Sequence, residues 1–280
     1  MSDIRVWVDG ALVPRGEPAV SAVDHGVTVG DGAFETAKIV DGVPFAVSRH
    51  LARLDRTMAG LGLPPADHDL LREGIAAVLG AEPIAFGRLR WTVTGGHGPL
   101  GSDRLDSALT HIVTAVAHDR PPESGAVVTV PWVRNERSAT AGLKTTSYAE
   151  NVVALARAAE QGAVEALFAN TRGELCEGTG SNVFVVTDGV VRTPPLESGC
   201  LAGISRALVV EWCREEEVEV REEALPMSVL TEAAEVFITS SVKDVLPVSA
   251  VDGRSLPAPG PVTARVRDVW AAHEARTVDP

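Results

Sequence analysis

The sequence predicts a mixed α+β fold, a form of α/β organisation in which strands and helices follow one another without strict alternation. Short strands separated by Asp-Gly turns open the chain, and segments with helical spacing of apolar residues are interspersed among later strand-like runs. A regular doubly wound sheet requires strands and helices to alternate throughout, so that architecture is not expected. The chain has 280 residues, which is enough for two domains.

The first part of the chain is predicted to contain two hairpins, two helices and two further strands. Asp9-Gly10 and Asp41-Gly42 each lie between two apolar runs, and both tolerate the positive φ of a tight turn. Ser48 is the expected N-cap of the first helix, which Gly60 and Gly62 end. In order, we expect strands at 4–8, 11–13, 34–40 and 43–45, a helix after Ser48, a helix at 69–79, and strands at 86–94 and 108–117.

A polar, proline-rich run at 118–125 has the composition of an interdomain connector. We therefore expect an N-terminal α/β domain over 1–117, a linker over 118–125 and a C-terminal domain over 126–280. In the second domain we expect a strand at 127–133, a helix at 148–161, strands at 166–169 and 182–187, a helix at 204–216, strands at 236–239 and 245–251, and a helix at 262–275.

Composition limits the partners of the protein. The 38 acidic residues outnumber 25 basic ones, giving a net charge of −13, which argues against nucleic acid or an anionic membrane surface and favours a small molecule. We expect no secretion leader or membrane span, because no apolar run approaches the length of a membrane helix. Three widely spaced cysteines indicate a reducing, cytoplasmic location, and the seven scattered histidines predict no metal site.

Two local motifs have ordinary explanations. Gly178-Thr179-Gly180 contains a GxG pattern, but an apolar strand follows it, whereas a dinucleotide site requires a helix there. Cys176 has no neighbouring base in sequence and is expected to be a small core residue.

One of the only three lysines, Lys144, lies in a segment suited to covalent chemistry. A lysine that forms an imine must be partly desolvated so that its free amine is available, and the uncharged residues 145–147 meet that need. Lys38 and Lys243 are expected on exposed polar surface, and a solvated loop is the ordinary interpretation of Lys144 as well. The helix that follows is expected to bury an apolar face formed by Val152, Leu155 and Ala159.

Two later segments offer complementary groups. Residues 174–184 place Glu177 among glycines that allow close backbone approach, and residues 193–206 form a loop that enters a helix. Backbone N–H groups at that helix start, with the Ser205 hydroxyl, form a site suited to phosphate. An activated lysine, a carboxylate and a phosphate site are together what a pyridoxal phosphate (PLP) enzyme requires.

These segments resemble the class IV aminotransferases, which include branched-chain aminotransferases, D-amino acid aminotransferases and aminodeoxychorismate lyases. Gly30-Asp31-Gly32-Ala33-Phe34-Glu35 resembles the family's GDGxFE element, and His50-Leu51-Ala52-Arg53-Leu54 resembles its HLxRL helix. The runs 177–184, 193–206 and Thr239-Ser240-Ser241-Val242 match in order and type. The resemblance covers nearly the full chain.

The resemblance implies a two-domain fold of type IV, with PLP between the domains, a cofactor-binding C-terminal domain and a homodimeric assembly. Lys144 becomes the Schiff-base lysine, and Glu177 becomes the partner of the pyridine nitrogen. The implied cofactor-binding set is completed by Arg53, Gly203, Ile204, Ser205, Ser240 and Ser241 around the phosphate, Leu201 against the ring, and Tyr148 near the phenolic oxygen.

The substrate residues are expected to include Phe34, Arg88 and Arg90. The two arginines are two apart on a predicted strand, so both project from one face and suit a carboxylate, unless they simply pair with acidic residues. The chain has Gly95-Gly96-His97-Gly98 where well-known D-amino acid aminotransferases have Arg-x-His, and it lacks the branched-chain Tyr-x-Arg-Pro element.

We favour a transaminase that acts on an amino acid, preferably a D-amino acid, and a 2-oxo acid. The alternatives are aminodeoxychorismate lyase, which releases pyruvate and 4-aminobenzoate, a branched-chain aminotransferase, and a catalytically silent phosphate-binding dimer.

Overall fold

The computed structural model describes residues 4–80 and 82–280. Those residues contain two separate sheets and helices interspersed among the strands, so the predicted mixed α+β class is confirmed. In chain order the elements are β1 (Arg5–Val8), β2 (Ala11–Val13), α1 (His25–Thr28), β3 (Gly32–Val40), β4 (Val43–Pro44), α2 (Val47–Leu61), α3 (His68–Leu79), β5 (Phe86–Thr94), β6 (Thr110–Ala117), β7 (Gly125–Arg134), α4 (Ala149–Glu160), β8 (Glu165–Asn170), β9 (Leu175–Gly178), β10 (Asn182–Thr187), β11 (Val190–Thr193), a 3₁₀ turn (Leu196–Ser198), α5 (Ile204–Glu215), β12 (Val220–Glu222), α6 (Val229–Glu232), β13 (Glu235–Ser240), β14 (Asp244–Val251), β15 (Arg254–Ser255) and α7 (Pro261–Glu274).

Contacts divide the chain into two compact units. Unit 1 comprises residues 1–120, 143–147 and 278–280, and unit 2 comprises residues 121–142 and 148–277. This grouping differs from the predicted domain limits at 143–147, which we expected in the second domain. The segment groups with unit 1 because Phe34 N–H donates to Lys144 O at 3.0 Å and Thr146 N–H donates to Gly32 O at 2.8 Å.

Unit 1 contains a six-stranded antiparallel sheet in the order β2-β1-β6-β5-β3-β4. The two predicted hairpins are present, and Asp9 and Gly10 have φ values of 43° and 98°. Helices α2 and α3 pack on this sheet, and buried apolar side chains such as Trp7, Leu54 and Trp91 form the core. Phe34, Arg88 and Arg90 alternate with the core residues along β3 and β5, so their side chains lie on the opposite face of the sheet.

The predicted N-cap of α2 is wrong by two residues. Ala46, with φ of 58°, is the cap, and Ser48 lies in the first turn. Both the N–H and the hydroxyl of Ser48 donate to the Asp279 carboxylate, at 2.9 and 2.6 Å. A carboxylate from the distant C-terminal segment therefore satisfies this helix start, and the local sequence pattern could not show that.

Unit 2 contains a nine-stranded mixed sheet in the order β12-β11-β10-β13-β14-β7-β8-β9, with β15 paired to β14. The β14–β7 and β7–β8 pairs are parallel. Apolar side chains from two clusters fill its core, one including Val183 and Ile238 and the other Ala154 and Phe168. Several short elements here, including β9 and β11, were not predicted.

Two expected absences can be compared with the described residues. None of their helices combines the length and apolar character that crossing a bilayer requires. Within 4–80 and 82–280, no group of three or more potential metal-binding side chains comes together. All three cysteines are buried free thiols, and Cys176 is a core residue as expected.

Candidate active site

Lys144 in unit 1 is fixed by its backbone. Its carbonyl accepts the Phe34 N–H at 3.0 Å, and its own N–H donates to the Thr57 hydroxyl at 3.3 Å. The neighbouring Thr145 forms a bridge with Ala33 on β3. The lysine segment is therefore held on the sheet of unit 1, and Lys144 is half-buried rather than solvated.

The Phe34 ring contacts the side chains of both Lys144 and Arg90. Lys144 Nζ lies 4.2 Å from the ring centroid, and the Arg90 guanidinium carbon lies 3.8 Å from it. Arg90 also donates from Nε to the Thr92 hydroxyl at 3.2 Å, which orients the guanidinium along the sheet. The two contacts position the Lys144 amine and the Arg90 guanidinium against the same aromatic ring.

Arg88 shares the sheet face of Arg90 but not its surroundings. Its cross-strand partner is Lys38, whereas Arg90 is opposite Thr36. Arg88 is exposed and Arg90 is half-buried. The sequence could not rank the two arginines, and the contact with Phe34 now favours Arg90.

A buried carboxylate orients Arg53. Glu35 Oε1 accepts Arg53 Nε at 2.8 Å, and Oε2 accepts an Arg53 terminal nitrogen and His50 Nδ1, both at 2.6 Å. Glu35 is fully buried, while His50 and Arg53 are 1% and 5% exposed. His50, Arg53 and Thr57 lie on one face of α2, so the same helix holds this pair and the Lys144 backbone.

The pKa values of Glu35 and His50 are both lowered within the buried cluster. Burial by itself raises the pKa of Glu35, but the charge and hydrogen bonds of Arg53, with those of His50, outweigh it and lower the pKa from 4.5 to about 2. Burial lowers the pKa of His50 despite the opposing effect of Glu35. Arg53 is therefore the main cation that compensates the buried Glu35 carboxylate, and His50 Nδ1 adds a contact at 2.6 Å.

Glu177 in unit 2 lies on β9 with both carboxylate oxygens in contact with donors. Oε2 accepts the Leu201 N–H at 2.9 Å, and Oε1 lies 3.2 Å from Arg134 Nε. Its side chain is 13% exposed, so it is partly open to a ligand. The geometry suits a carboxylate that must stay ionised and accept one more hydrogen bond.

The start of α5 in unit 2 fits a phosphate group. The N-cap is Gly203, and no side chain caps this twelve-residue helix. Asn182 holds the preceding loop by donating to Leu201 O at 2.9 Å, and a Cβ at Gly203 would lie 1.9 Å from Asn182 Oδ1. The hydroxyl of Thr239, opposite Asn182 in the sheet, is buried without a hydrogen-bond partner among the described residues. These donors match the chemistry of a phosphate, so the residues present fit PLP.

Glu165 links two loops that the resemblance assigned to the cofactor. Its carboxylate accepts the N–H and hydroxyl of Thr179, the Ser181 hydroxyl at 2.8 Å and Lys243 Nζ at 3.0 Å. The turn that contains Lys243 also includes Ser240, whose hydroxyl accepts the Lys243 N–H at 3.2 Å, and Ser241. The loop after Glu177 and the turn at 240–243 are therefore tied to one buried carboxylate.

Comparisons with known proteins identify the family. Residues 32–251 match the family model described as amino-transferase class IV. The chain belongs to the class IV aminotransferases. It is 32% identical over 257 residues to a putative branched-chain-amino-acid aminotransferase of Methanocaldococcus jannaschii, with 90% of this chain and 89% of that protein covered. It is 31% identical to the D-alanine aminotransferase of Bacillus licheniformis, with 94% and 95% covered.

A solved structure supports the cofactor assignment. A hypothetical aminotransferase from Mycobacterium tuberculosis, with α-ketoglutarate and PMP bound, is 27% identical and superposes with a TM-score of 0.84 over 96% of this chain and 98% of that one. Class IV aminotransferases are PLP-dependent enzymes, and so is this member of the family.

The other two lysines of this class IV aminotransferase have structural surroundings. We expected both on exposed polar surface, and for Lys38 that expectation is wrong, because it is 2% exposed with Nζ 4.9 Å from the Phe45 ring centroid. Lys243 is half-buried and paired with Glu165. Both therefore contribute to the packing of the fold.

Two expectations around α4 have different outcomes. Tyr148 is the N-cap residue of α4 and is half-buried, which leaves its proposed place near the cofactor as a prediction. The predicted apolar face of the helix is wrong. Ala154 and Ala158 are buried, while Val152 and Leu155 are 65% and 43% exposed, because only small side chains fit against β7 and β8.

Sequence reasoning missed Arg134 and Glu165. Each is a single charged residue at the end of an apolar strand, and nothing local distinguishes it from a surface charge. The cluster of Glu35, His50 and Arg53 is predictable in part from the sequence, since the three-residue spacing of His50 and Arg53 predicts a shared helix face.

The depressed pKa of Glu35 predicts an acid-sensitive contribution to stability. Because its folded pKa is about 2 against an ordinary 4.5, the contribution is complete above pH 4.5 and is lost as the pH falls towards 2. The difference in unfolding free energy between the wild type and Glu35→Gln should shrink by about 2 kcal/mol from about pH 6 to about pH 3. Urea unfolding of the apoprotein measures it. Exposed Glu73→Gln is the control, and a pH-independent difference for Glu35→Gln contradicts the assignment.

Proposed function

We propose that this enzyme transfers an amino group between an amino acid, preferably a D-amino acid, and a 2-oxo acid. The observation that carries the proposal is the contact of Arg90 and Lys144 with the same Phe34 ring. A guanidinium that contacts the same ring as the reactive amine is suited to hold the α-carboxylate of an amino acid or a 2-oxo acid, because arginine binds carboxylates through paired hydrogen bonds.

The proposed roles follow from the surroundings of each side chain. Lys144 would hold the cofactor covalently through its half-buried amine beside Phe34. Once the amine of the substrate has displaced it from the cofactor, the freed lysine amine would move the proton at the substrate α-carbon. Glu177 binds the ring nitrogen, since its carboxylate is already oriented by Leu201 N–H and remains partly exposed. PLP, when bound, supplies the electron-accepting ring that lets the α-proton leave.

The phosphate is proposed to bind the α5 start with help from Arg53. Ile204 and Ser205 offer backbone N–H groups, and Ser205 adds a hydroxyl, whereas the Gly203 N–H already donates to Leu201 O at 2.8 Å and shapes the loop before the helix. Ser240 and Ser241 lie on the turn that Glu165 holds. Arg53 is fixed by Glu35 through two of its nitrogens, which orients the guanidinium before any ligand arrives.

The preference for D-amino acids rests on likeness. The stretch from Phe34 to Lys38 resembles D-amino acid aminotransferases at Glu35 and Lys38, and the Bacillus licheniformis relative is a D-alanine aminotransferase. Because the Methanocaldococcus relative is a putative branched-chain-amino-acid aminotransferase, branched-chain amino acids are the main alternative substrate class. Membership of a PLP-dependent enzyme family argues against the alternative of a catalytically silent phosphate-binding dimer.

We also propose that the enzyme is a cytoplasmic homodimer. The three cysteines are unpaired and buried, as expected in a reducing compartment. On α4, Val152 and Val153 are 65% and 54% exposed, an apolar face that a second copy of the chain can cover. Sedimentation equilibrium tests the dimer.

Reductive labelling should identify Lys144 as the lysine that carries the cofactor. Borohydride treatment of the PLP-loaded protein, followed by peptide mass spectrometry, should find the pyridoxyl adduct on Lys144 alone. Lys38 and Lys243 are internal controls, since one is buried and the other is paired with Glu165. An adduct on either of them overturns the assignment.

Half-reactions should identify the substrate class. D-alanine or D-glutamate should bleach the yellow cofactor, and pyruvate or 2-oxoglutarate should restore the colour, because a transaminase runs both halves in turn. L-leucine, L-isoleucine and aminodeoxychorismate complete the panel. Faster turnover of the L-amino acids assigns the branched-chain class, and release of pyruvate from aminodeoxychorismate without an acceptor assigns the lyase.

Arg90 and Arg88 form a matched pair on one sheet face. Arg90→Leu should lower kcat/KM for amino acids roughly tenfold to a hundredfold, because a charge-assisted pair with the α-carboxylate is lost. Arg88→Leu should change it little, since that side chain is exposed. Amines without a carboxylate should be affected by neither. Equal losses in the two variants, or a loss only in Arg88→Leu, would sink the assignment of Arg90.

A further inference from the structure

Arg134, at the end of β7, makes three contacts that fix its guanidinium. One terminal nitrogen donates to Glu150 at 2.6 Å and the other to Asn151 Oδ1 at 2.5 Å. The guanidinium carbon lies 4.0 Å from the centroid of the Phe168 ring. The Arg134 side chain is 15% exposed.

The remaining contact of Arg134 is with Glu177. Nε lies 3.2 Å from Glu177 Oε1 but is not aligned for a hydrogen bond, and it has no other hydrogen-bond partner among the described residues. Phe168 and Glu177 are direct partners in the β8–β9 pair, so the ring under the guanidinium also sets the distance to the carboxylate.

Asn151 connects the same helix start to the loop after Glu177. Its Nδ2 donates to Thr179 O at 2.8 Å, while its Oδ1 accepts Arg134. Asn151 is itself buried at 8% exposure. The first turn of α4 therefore holds both the arginine beside Glu177 and the backbone that follows Glu177.

We propose that Arg134 is a positioning residue for the cofactor, acting through Glu177. It holds one carboxylate oxygen while Leu201 N–H holds the other, and its positive charge favours the ionised form of the carboxylate. This inference rests on the proposed function, in which Glu177 binds the ring nitrogen.

The positive charge matters because Glu177 is mostly removed from water. A carboxylate at 13% exposure loses most of its hydration, and a cation at 3.2 Å offsets that loss. Without Arg134, Glu177 Oε1 loses its cationic neighbour, and the carboxylate is held less firmly. Cofactor binding then has to order the carboxylate as well as contact it.

The test is a double-mutant cycle on PLP affinity, measured by titrating the apoprotein with PLP and following absorbance. Arg134→Met should raise the Kd about tenfold, and Glu177→Gln should raise it at least as much. The double variant should bind PLP as weakly as Glu177→Gln and no more weakly, because Arg134 acts only through that carboxylate. Multiplied effects, or an unchanged Kd in Arg134→Met, overturn the proposal.

Rescue separates positioning from a purely structural bridge. Arg134→Lys keeps the charge but loses the planar fork that joins Glu150 and Asn151, and its Kd should stay within about threefold of the wild type. A bridge between β7 and α4 is lost in both variants, so equal losses in Arg134→Lys and Arg134→Met contradict the proposal. If Arg134→Met does not fold, Arg134→Gln replaces it in the cycle.

Arg192→Met is the matched control. Arg192 is another partly buried arginine of unit 2, with Thr187 and Glu223 as its partners, and its loss should leave the PLP Kd unchanged.

Failure of this inference is distinct from failure of the proposed function. If borohydride labels Lys144 while the cycle shows no coupling, only the role of Arg134 is lost; if Lys144 is not labelled, the proposed function is lost.

Discussion

A carboxylate that is removed from water needs a compensating positive charge and hydrogen-bond donors for its lone pairs. Each of the two units contains one such buried carboxylate. In unit 1 the fully buried Glu35 is satisfied by Arg53 and His50. In unit 2, Glu165 at 1% exposure is satisfied by Thr179, Ser181 and Lys243. Removing Arg53 or Lys243 would leave a buried charge uncompensated, and removing a hydroxyl donor would cost a hydrogen bond. The segments that carry these partners are therefore fixed relative to one another within each unit.

This constraint explains why the candidate site residues are ordered without a ligand. Arg53 is held by Glu35, and the turn with Ser240 is held through Lys243 and Glu165. Glu177 differs, since it is partly exposed and contacts Leu201 N–H and Arg134. A partly exposed carboxylate can be reached by a ligand, whereas a fully buried one cannot. Burial thus distinguishes the two structural carboxylates from the carboxylate proposed to bind the ring nitrogen.

Much of the fold follows from local sequence, and much of the site does not. The Asp9-Gly10 hairpin and the limits of β5 and β10 were predictable, because turn chemistry and strand alternation are local properties. The family motifs marked Lys144 and Glu177. Other features depend on residues far away in the chain. They are the contact of Asp279 with the first turn of α2, the exposure of Val152, and the grouping of 143–147 with unit 1. The choice of Arg90 over Arg88 required the position of the Phe34 ring, which periodicity does not give.

Glu177, oriented by Leu201 N–H and Arg134, is proposed to hold the ring nitrogen of PLP protonated. Nitrogen NMR of the enzyme loaded with ¹⁵N-labelled PLP measures that protonation directly. At a pH where the ring nitrogen of the free cofactor has lost its proton, the bound nitrogen should give the chemical shift of a protonated pyridine, and Glu177→Gln should shift it to the unprotonated value. An unprotonated ring nitrogen in the wild-type enzyme, or the same shift in both proteins, would contradict the account.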